Sequence, residues 1–159
     1  MAVYVRSRLT GTSVQQARFV RLAQHVLSAA GEPASELSVE LIGDRRMRRL
    51  NRVYRKKDRT TDVLAFAMRE SENPCQTLLG DVVISVPTAL RQAREAGRPL
   101  DEEIAALLVH GVLHLCGYDH ERSEQEAARM HRRERSILKK VQPVPRLVSK
   151  RRGRSKRSA

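Results

Sequence analysis

"DEEIAALLVHGVLHLCGYDH", residues 101–120, decides how this chain is read. Residues 101–116 predict a helix. Acids stand in its first turn, where the helix dipole favours negative charge. On a wheel of about 100° per residue, Ile104, Leu107, Leu108, Gly111 and Leu115 gather on one side, and Val109 and Leu113 cover much of the other. A helix apolar nearly all round belongs in a core. His110 and His114 fall at about 240° and 280° from Ile104, side by side and one turn apart. Gly117 suits a left-handed turn that ends the helix. "YD" then carries the chain back, so that His120 can point at the same spot from the loop.

Three imidazoles converging from a rigid helix and a turn predict an open zinc site, with His110, His114 and His120 as ligands and water in the fourth position. Nitrogen ligands favour Zn²⁺ over hard cations, although Ni²⁺, Co²⁺ and Mn²⁺ also take them. The spacing H-x-x-x-H-x-x-G-x-x-H is that of metzincin peptidases. In those enzymes a Glu general base follows the first His; here Gly111 stands in its place, which argues against peptidase chemistry. Zinc alone still brings the pKa of bound water down to about 7. Cys116 falls at about 120° on the same wheel, away from the imidazoles, and is read as a buried thiol. Asp119 has two readings: a partner that orients a ligating imidazole, or a turn residue that bonds its own backbone. His25 and His131 lie on surface-like helix faces and receive no role.

Outward from this stretch, the order β-α-β-α-β-β-α-α-α is legible. "AVYVR" alternates as a short strand. Residues 12–31 read as a helix with Thr12 and Ser13 as N-caps, closed by Gly31 and Pro33. "ELSVELIG" alternates Leu37, Val39 and Leu41, again as a strand. "DRRMRRLNRVYRKKD" reads as an amphipathic helix capped by Asp44, with Met47, Leu50 and Tyr54 on one stripe and arginines elsewhere. "TTDVLAFAM" and "LLGDVVISV" are strands joined by a polar loop at 69–77. Pro87 suits the first turn of a helix that ends at Gly97. Residues 123–141 form a last charged helix opening on "SEQE", a capping-box pattern. The fold class is therefore α+β: a mixed, mostly four-stranded sheet flanked by helices, with a central metal-binding helix. One domain is expected over residues 1–142. Residues 143–159, broken by Pro143 and Pro145, are expected to be a basic, disordered tail.

The chain has 159 residues and a formal net charge of +13. Arg146, Lys150, Arg151, Arg152, Arg154, Lys156 and Arg157 lie in the tail without an acid; removing these seven charges leaves +6 on the body. An excess of this kind points to polyanionic partners such as nucleic acid. The tail is expected to add salt-sensitive, sequence-independent affinity. With no Trp and few aromatics, composition argues against a base-stacking platform. Cys75 and Cys116 make no disulfide framework, and the N-terminus has no apolar leader, so a reducing cytoplasm is the expected home. No stretch reaches the roughly 18 apolar residues of a membrane span.

The three-histidine stretch resembles the H-G-x-L-H-L-x-G-Y-D-H signature of the YbeY family of bacterial endoribonucleases. "MRRLNRVYRKKDRTTDVLAFA" and "LLGDVVIS" are similar to two further family segments, so the resemblance runs in order from about Leu37 to His120. It leaves the N-terminal helix and the tail uncovered. It implies that His110, His114 and His120 bind the metal and that Arg55 is the functionally important arginine. Composition alone does not single Arg55 out, because "RKKDR" holds many equivalent charges. The resemblance also implies a metal-dependent hydrolase that cuts single-stranded RNA, with rRNA as substrate and the ribosome or small-subunit proteins as partners. Its implied roles are 16S rRNA 3′-end maturation and ribosome quality control. Ala65 and Ala67 depart from the family pattern, which has Ser and Pro there. Asp58 and Asp62 are read as turn-ordering residues and Asp81 as a strand-end structural residue. The alternatives are a non-catalytic RNA- or ribosome-binding assembly factor with a structural metal, and a metallopeptidase.

Overall fold

The computed structural model describes residues 2–68 and 77–150. Residues 69–76 of the loop expected at 69–77, with Cys75, and the basic residues 151–159 lie outside the described residues.

Four strands form the main sheet: β1 (Val3–Ser7), β3 (Glu36–Ile42), β4 (Val63–Ala67) and β5 (Leu78–Ser85), in the order β1-β3-β5-β4. β3 runs parallel to both β1 and β5, and β4 is antiparallel to β5. This is the mixed four-stranded sheet that the sequence predicts. β5 lies inside the sheet and is buried on both faces at Val82, Val83 and Ile84, which explains its unbroken apolar run. β4 is an edge strand. Asp81 lies within β5, opposite Phe66, rather than at a strand end.

The helices are α1 (Gln16–Ala29), α2 (Asp44–Arg55), α3 (Val86–Ala96), α4 (Leu100–Leu115) and α5 (Glu124–Lys140). α4 is buried around most of its circumference, and it packs on β4 and β5 as well as on α1, α3 and α5. Val82 and Ile84 join this main core. A smaller cluster of Ile42, Met47, Leu64 and Val83 seats α2, with Leu50 and Phe66 at its margin. Tyr54 departs from the expected stripe: Met47 and Asn51 are the buried residues of α2, and Tyr54 is 64% exposed.

Two expectations at the chain's ends are corrected. Thr12 and Ser13 do not cap α1; Thr12–Val14 is a strand, β2, and Gln15 takes the cap position. β2 pairs antiparallel with β6 (Val148–Lys150), which lies inside the segment expected to be a disordered tail. Further interactions hold this segment. The Asp101 carboxylate, in the first turn of α4, accepts from the amides of Leu147 at 2.8 Å and Val148 at 3.3 Å. Leu147 is also completely buried. The prolines at 143 and 145 deliver the chain to this dock instead of releasing it.

Asp44 is likewise not a cap. Gly43 holds the N-cap position, and the Asp44 carboxylate reaches out of the helix. It accepts from Ser85 Oγ at 2.7 Å, Thr88 Oγ1 at 2.6 Å and Thr60 Oγ1 at 3.2 Å, and pairs with Arg91 at 2.9 Å. Burial raises its pKa, but the bonds from Thr88, Ser85 and Arg91 and the Arg91 charge outweigh burial and hold it at about 2. One carboxylate thus ties the start of α2 to the end of β5 and the start of α3.

Replacing Asp44 with Ala removes the acceptor shared by these groups and should cost about 2–4 kcal/mol, read from denaturant midpoints. The lowered pKa fixes the sign of the pH effect. The Asp44 contribution is complete above the unfolded value near 3.8 and is lost as pH falls toward about 2. The gap between wild type and Asp44→Ala should therefore close across that window; a constant gap contradicts the assignment. Gly111 generates a second prediction. A Cβ there would lie 2.7 Å from Val82 Cγ1, too close for a stiff β-branched neighbour to absorb. Gly111→Ala should lower stability by about 1–3 kcal/mol in the same assay, and an equal or higher midpoint counts against this packing.

Candidate metal centre

α4 presents His110 and His114 one turn apart at the edge of the buried rod. Their Nε2 atoms face each other across 3.1 Å. The helix then closes as predicted. Gly117 takes φ 97°, its amide bonds His114 O at 3.0 Å, and the Tyr118 amide bonds Leu113 O at 3.1 Å. Asp119 Oδ1 accepts from the Glu121 amide at 2.9 Å, forming a turn around His120. This is the turn reading of Asp119. That bond, ahead of the Arg122 charge, holds its carboxyl below the usual range. His120 swings back so that its ring lies 5.2 Å, centroid to centroid, from each of the other two.

One ligand atom from each of His110, His114 and His120 lies within 4.8 Å of the others. Nitrogens bound tetrahedrally to one zinc at 2.0–2.1 Å sit roughly 3.3 Å apart, so small side-chain adjustments complete the set. Burial, followed by the charges of His110 and His120, lowers the His114 pKa and favours the neutral form that a metal requires. Cys116 stands apart from this group and packs against the main core.

His110 has an orienting partner that the sequence reading missed. Its Nδ1 meets Glu134 Oε1 on α5, which leaves Nε2 turned toward the other histidines. A signal existed. Glu134 shares a helical stripe with the buried Met130 and Ile137, at spacings of four and three, so an acid stood on the inward face of α5. It was hidden among the surrounding charges of "RRERS". Gly111, in the place of the peptidase base, lies against Val82 and Val63 of the sheet; a carboxylate side chain does not fit there.

The histidines line a cleft of about 700 Å³ that also takes in Arg55, Tyr54 and the edge strand β4 with Ala65 and Ala67. Arg55, in the last turn of α2, is near enough for its charge to lower the His114 pKa further. Its guanidinium lies 3.4 Å from Glu121, a second residue missed in the sequence. The loop after α2 is set by Asn51, whose Nδ2 donates to Arg59 O at 2.9 Å, and by Lys56, which closes the helix at φ 57°. Asp58 pairs with Arg48 at 2.9 Å. Asp62 accepts from the Val63 amide at 2.7 Å and from Gln92 at 3.2 Å. Both therefore order the chain around the turn, as read from the sequence. His25 and His131 stay outside the cleft, and His131 lies 3.8 Å from the other oxygen of Glu134.

Among the described residues, no helix is long and apolar enough to cross a membrane. Comparison with known proteins bears directly on this arrangement. The family model described as Endoribonuclease YbeY matches residues 5–142. The chain is 47% identical over 143 residues to an Endoribonuclease YbeY of Geobacter metallireducens, covering 87% of this chain and 94% of that protein. It is 46% identical over 134 residues to one of Aquifex aeolicus, covering 84% and 89%. The solution structure of a Thermotoga maritima protein shares the fold with a TM-score of 0.61 at 23% identity, over 87% of this chain and 88% of that one. A family model spanning most of the chain and close relatives of nearly equal length lead to one conclusion: the chain belongs to the YbeY family.

Proposed function

We propose that this protein is a zinc-dependent endoribonuclease that hydrolyses phosphodiester bonds in single-stranded RNA, with His110, His114 and His120 holding the metal and Arg55 holding the scissile phosphate. The observation that carries the reading is the meeting of three imidazole nitrogens with one guanidinium in a single cleft, in a chain of a family named for RNA cleavage. Zinc bound by these residues supplies Lewis acidity and an acidified water. Glu134 fixes the tautomer and direction of His110. Arg55 offers a planar fork of donors that matches phosphate oxygens two at a time. Negative charge grows on those oxygens as the bond is cut, and a fixed cation beside them stabilises the transition state. The contact to Glu121 holds this guanidinium only weakly, since both groups are largely exposed, so an incoming phosphate displaces it easily.

The net charge of +13 suits an RNA polyanion. Through the family resemblance the reading extends to 16S rRNA 3′-end maturation and ribosome quality control in the cytoplasm, with ribosomal or small-subunit proteins as partners. The body, with β6 docked on it, is the catalytic domain, and the basic residues beyond β6 add non-specific RNA affinity. A purely structural metal is the weaker reading. Structural zinc sites close with four protein ligands, and the group found among the described residues offers three.

His114→Ala should lose both metal and RNA cleavage, whereas Arg55→Glu should keep the metal and lose about 100-fold or more in cleavage rate. Elemental analysis paired with a cleavage assay on unstructured RNA reads both, and full cleavage by metal-free protein in chelator refutes the proposal. The product ends identify the nucleophile: a 2′,3′-cyclic phosphate means attack by the ribose 2′-hydroxyl. Glu134→Gln should retain the fold and weaken zinc affinity by about 10-fold or more, measured against a competing chelator. Wild-type affinity in that variant removes Glu134 from the site.

A further inference from the structure

The chain contains three Tyr, two Phe and no Trp. Phe19 is buried in the core, and Tyr118 packs against the core with the Arg129 guanidinium 5.2 Å over its ring. Tyr4 sits on β1, at the opposite edge of the sheet from β4. Tyr118 also lines the cleft that holds the histidines, and the same cleft takes in the other two aromatics, Tyr54 and Phe66. Their centroids are 5.1 Å apart and their planes meet at 64°, an edge-to-face contact. Phe66 is half-buried against the α2 cluster, while Tyr54 is 64% exposed. Phe66 therefore acts as a wall that steadies a ring still open to solvent.

We propose that Tyr54, braced by Phe66, is a nucleobase-stacking platform that seats a base beside the phosphate held by Arg55. The inference rests on the RNA-cleaving reading above and adds a subsite to it. Non-specific recognition of single strands combines a basic surface that follows the backbone with exposed aromatic faces that take the bases. Both parts meet at the end of α2. Tyr54 precedes Arg55 directly, Lys56 and Lys57 follow, and Arg45, Arg49 and Arg52 are exposed along the same helix. An aromatic ring has no net charge for a phosphate to find, whereas every base has a π-face to lay on it. A base can reach Tyr54 only when it is unstacked and unpaired. The platform thus gives a physical origin for single-strand preference, without reading base identity.

The test uses the full-length protein with its metal and two fluorescent probes of equal length: an unstructured oligoribonucleotide and its abasic ribose-phosphate counterpart. Wild type should bind the base-bearing probe more tightly than the abasic one. Tyr54→Ala should weaken binding of the base-bearing probe by about 5- to 100-fold and leave abasic binding unchanged. Tyr54→Phe should stay within about threefold of wild type on both, because stacking needs the ring and not the hydroxyl. Metal content and unfolding midpoint serve as controls on the fold. Wild-type binding of both probes by Tyr54→Ala overturns the platform and leaves the endoribonuclease reading standing. Equal losses on both probes also overturn it, since they mean that Tyr54 only supports Arg55. Failure of wild type to bind either probe, or to cleave RNA, overturns the parent reading and the platform with it.

Discussion

The site depends on how closely α4 approaches the sheet. Gly111 brings the helix backbone down onto Val82, and a single methyl group at that position would already collide with it. Ile104, Leu108, Val112 and Leu113 are fully buried around the same rod, so neither rotation nor sliding is open to it without exposing apolar surface. His110 and His114 inherit their direction from this packing. A side chain on a loop would have to be held by its own hydrogen bonds; these two are held by the core. Only His120 comes from irregular backbone, and it is pinned by the wrap after Gly117 and the Asp119 turn. Gly80 makes a matching close approach below. A Cβ there would collide with Phe66 O and with the Leu115 side chain, so the glycine lets the edge strand and the end of α4 close together beside the cleft.

Arg55 reaches the same cleft by a separate route. α2 is clamped at its start by Asp44, which binds groups from β5, α3 and the segment before β4. Asn51 clamps the far end through the Arg59 carbonyl. Between these clamps only Met47 and Asn51 are buried, and the remaining face carries arginines to solvent. The helix is thus fixed by a few polar bonds and a small apolar cluster, and its last turn delivers Tyr54 and Arg55 to the cleft. The contrast is physical. His110 and His114 stand on an element locked by hydrophobic burial, while Tyr54 and Arg55, the residues proposed to contact base and phosphate, stand on one locked largely by hydrogen bonds at its ends.

Much of this was legible in the sequence for a plain reason: periodicity reports burial. The apolar wheel of 101–116 gave the buried rod, the four-residue step gave the paired histidines, and Gly117 gave the stop. What escaped were interactions between residues distant in the chain. Nothing local announces that Asp101 will accept the amides of residues 147 and 148, so a segment with two prolines and many cations read as disorder. Asp44 sat where an N-cap belongs, yet its partners lie 16 to 47 residues ahead in the chain. Tyr54 lay on the right side of α2 for burial, but the helix overhangs the end of its small core there and leaves the ring in solvent. The low aromatic content that argued against a stacking platform counted residues without placing them. Three of five aromatics at one cleft carry more information than their share of the composition.

Electrostatics explains why these parts belong together. Three imidazoles and a guanidinium in one cleft repel each other if all are charged, and burial of His114 adds to that cost. The neutral form of His114, favoured by burial, relieves part of it. Carboxylates take up the rest from the periphery: Glu134 behind His110, Glu121 beside Arg55, and Asp119 in the turn that carries His120. These acids differ in how firmly they are held. Glu134 is largely buried against an imidazole, whereas Glu121 is 60% exposed and 3.4 Å from a guanidinium that is itself exposed. An anion entering the cleft can therefore replace Glu121 at Arg55 without disturbing the group that orients His110. The arrangement keeps one positive charge available for exchange while the ligand frame stays fixed, which is what binding a phosphodiester beside a metal requires.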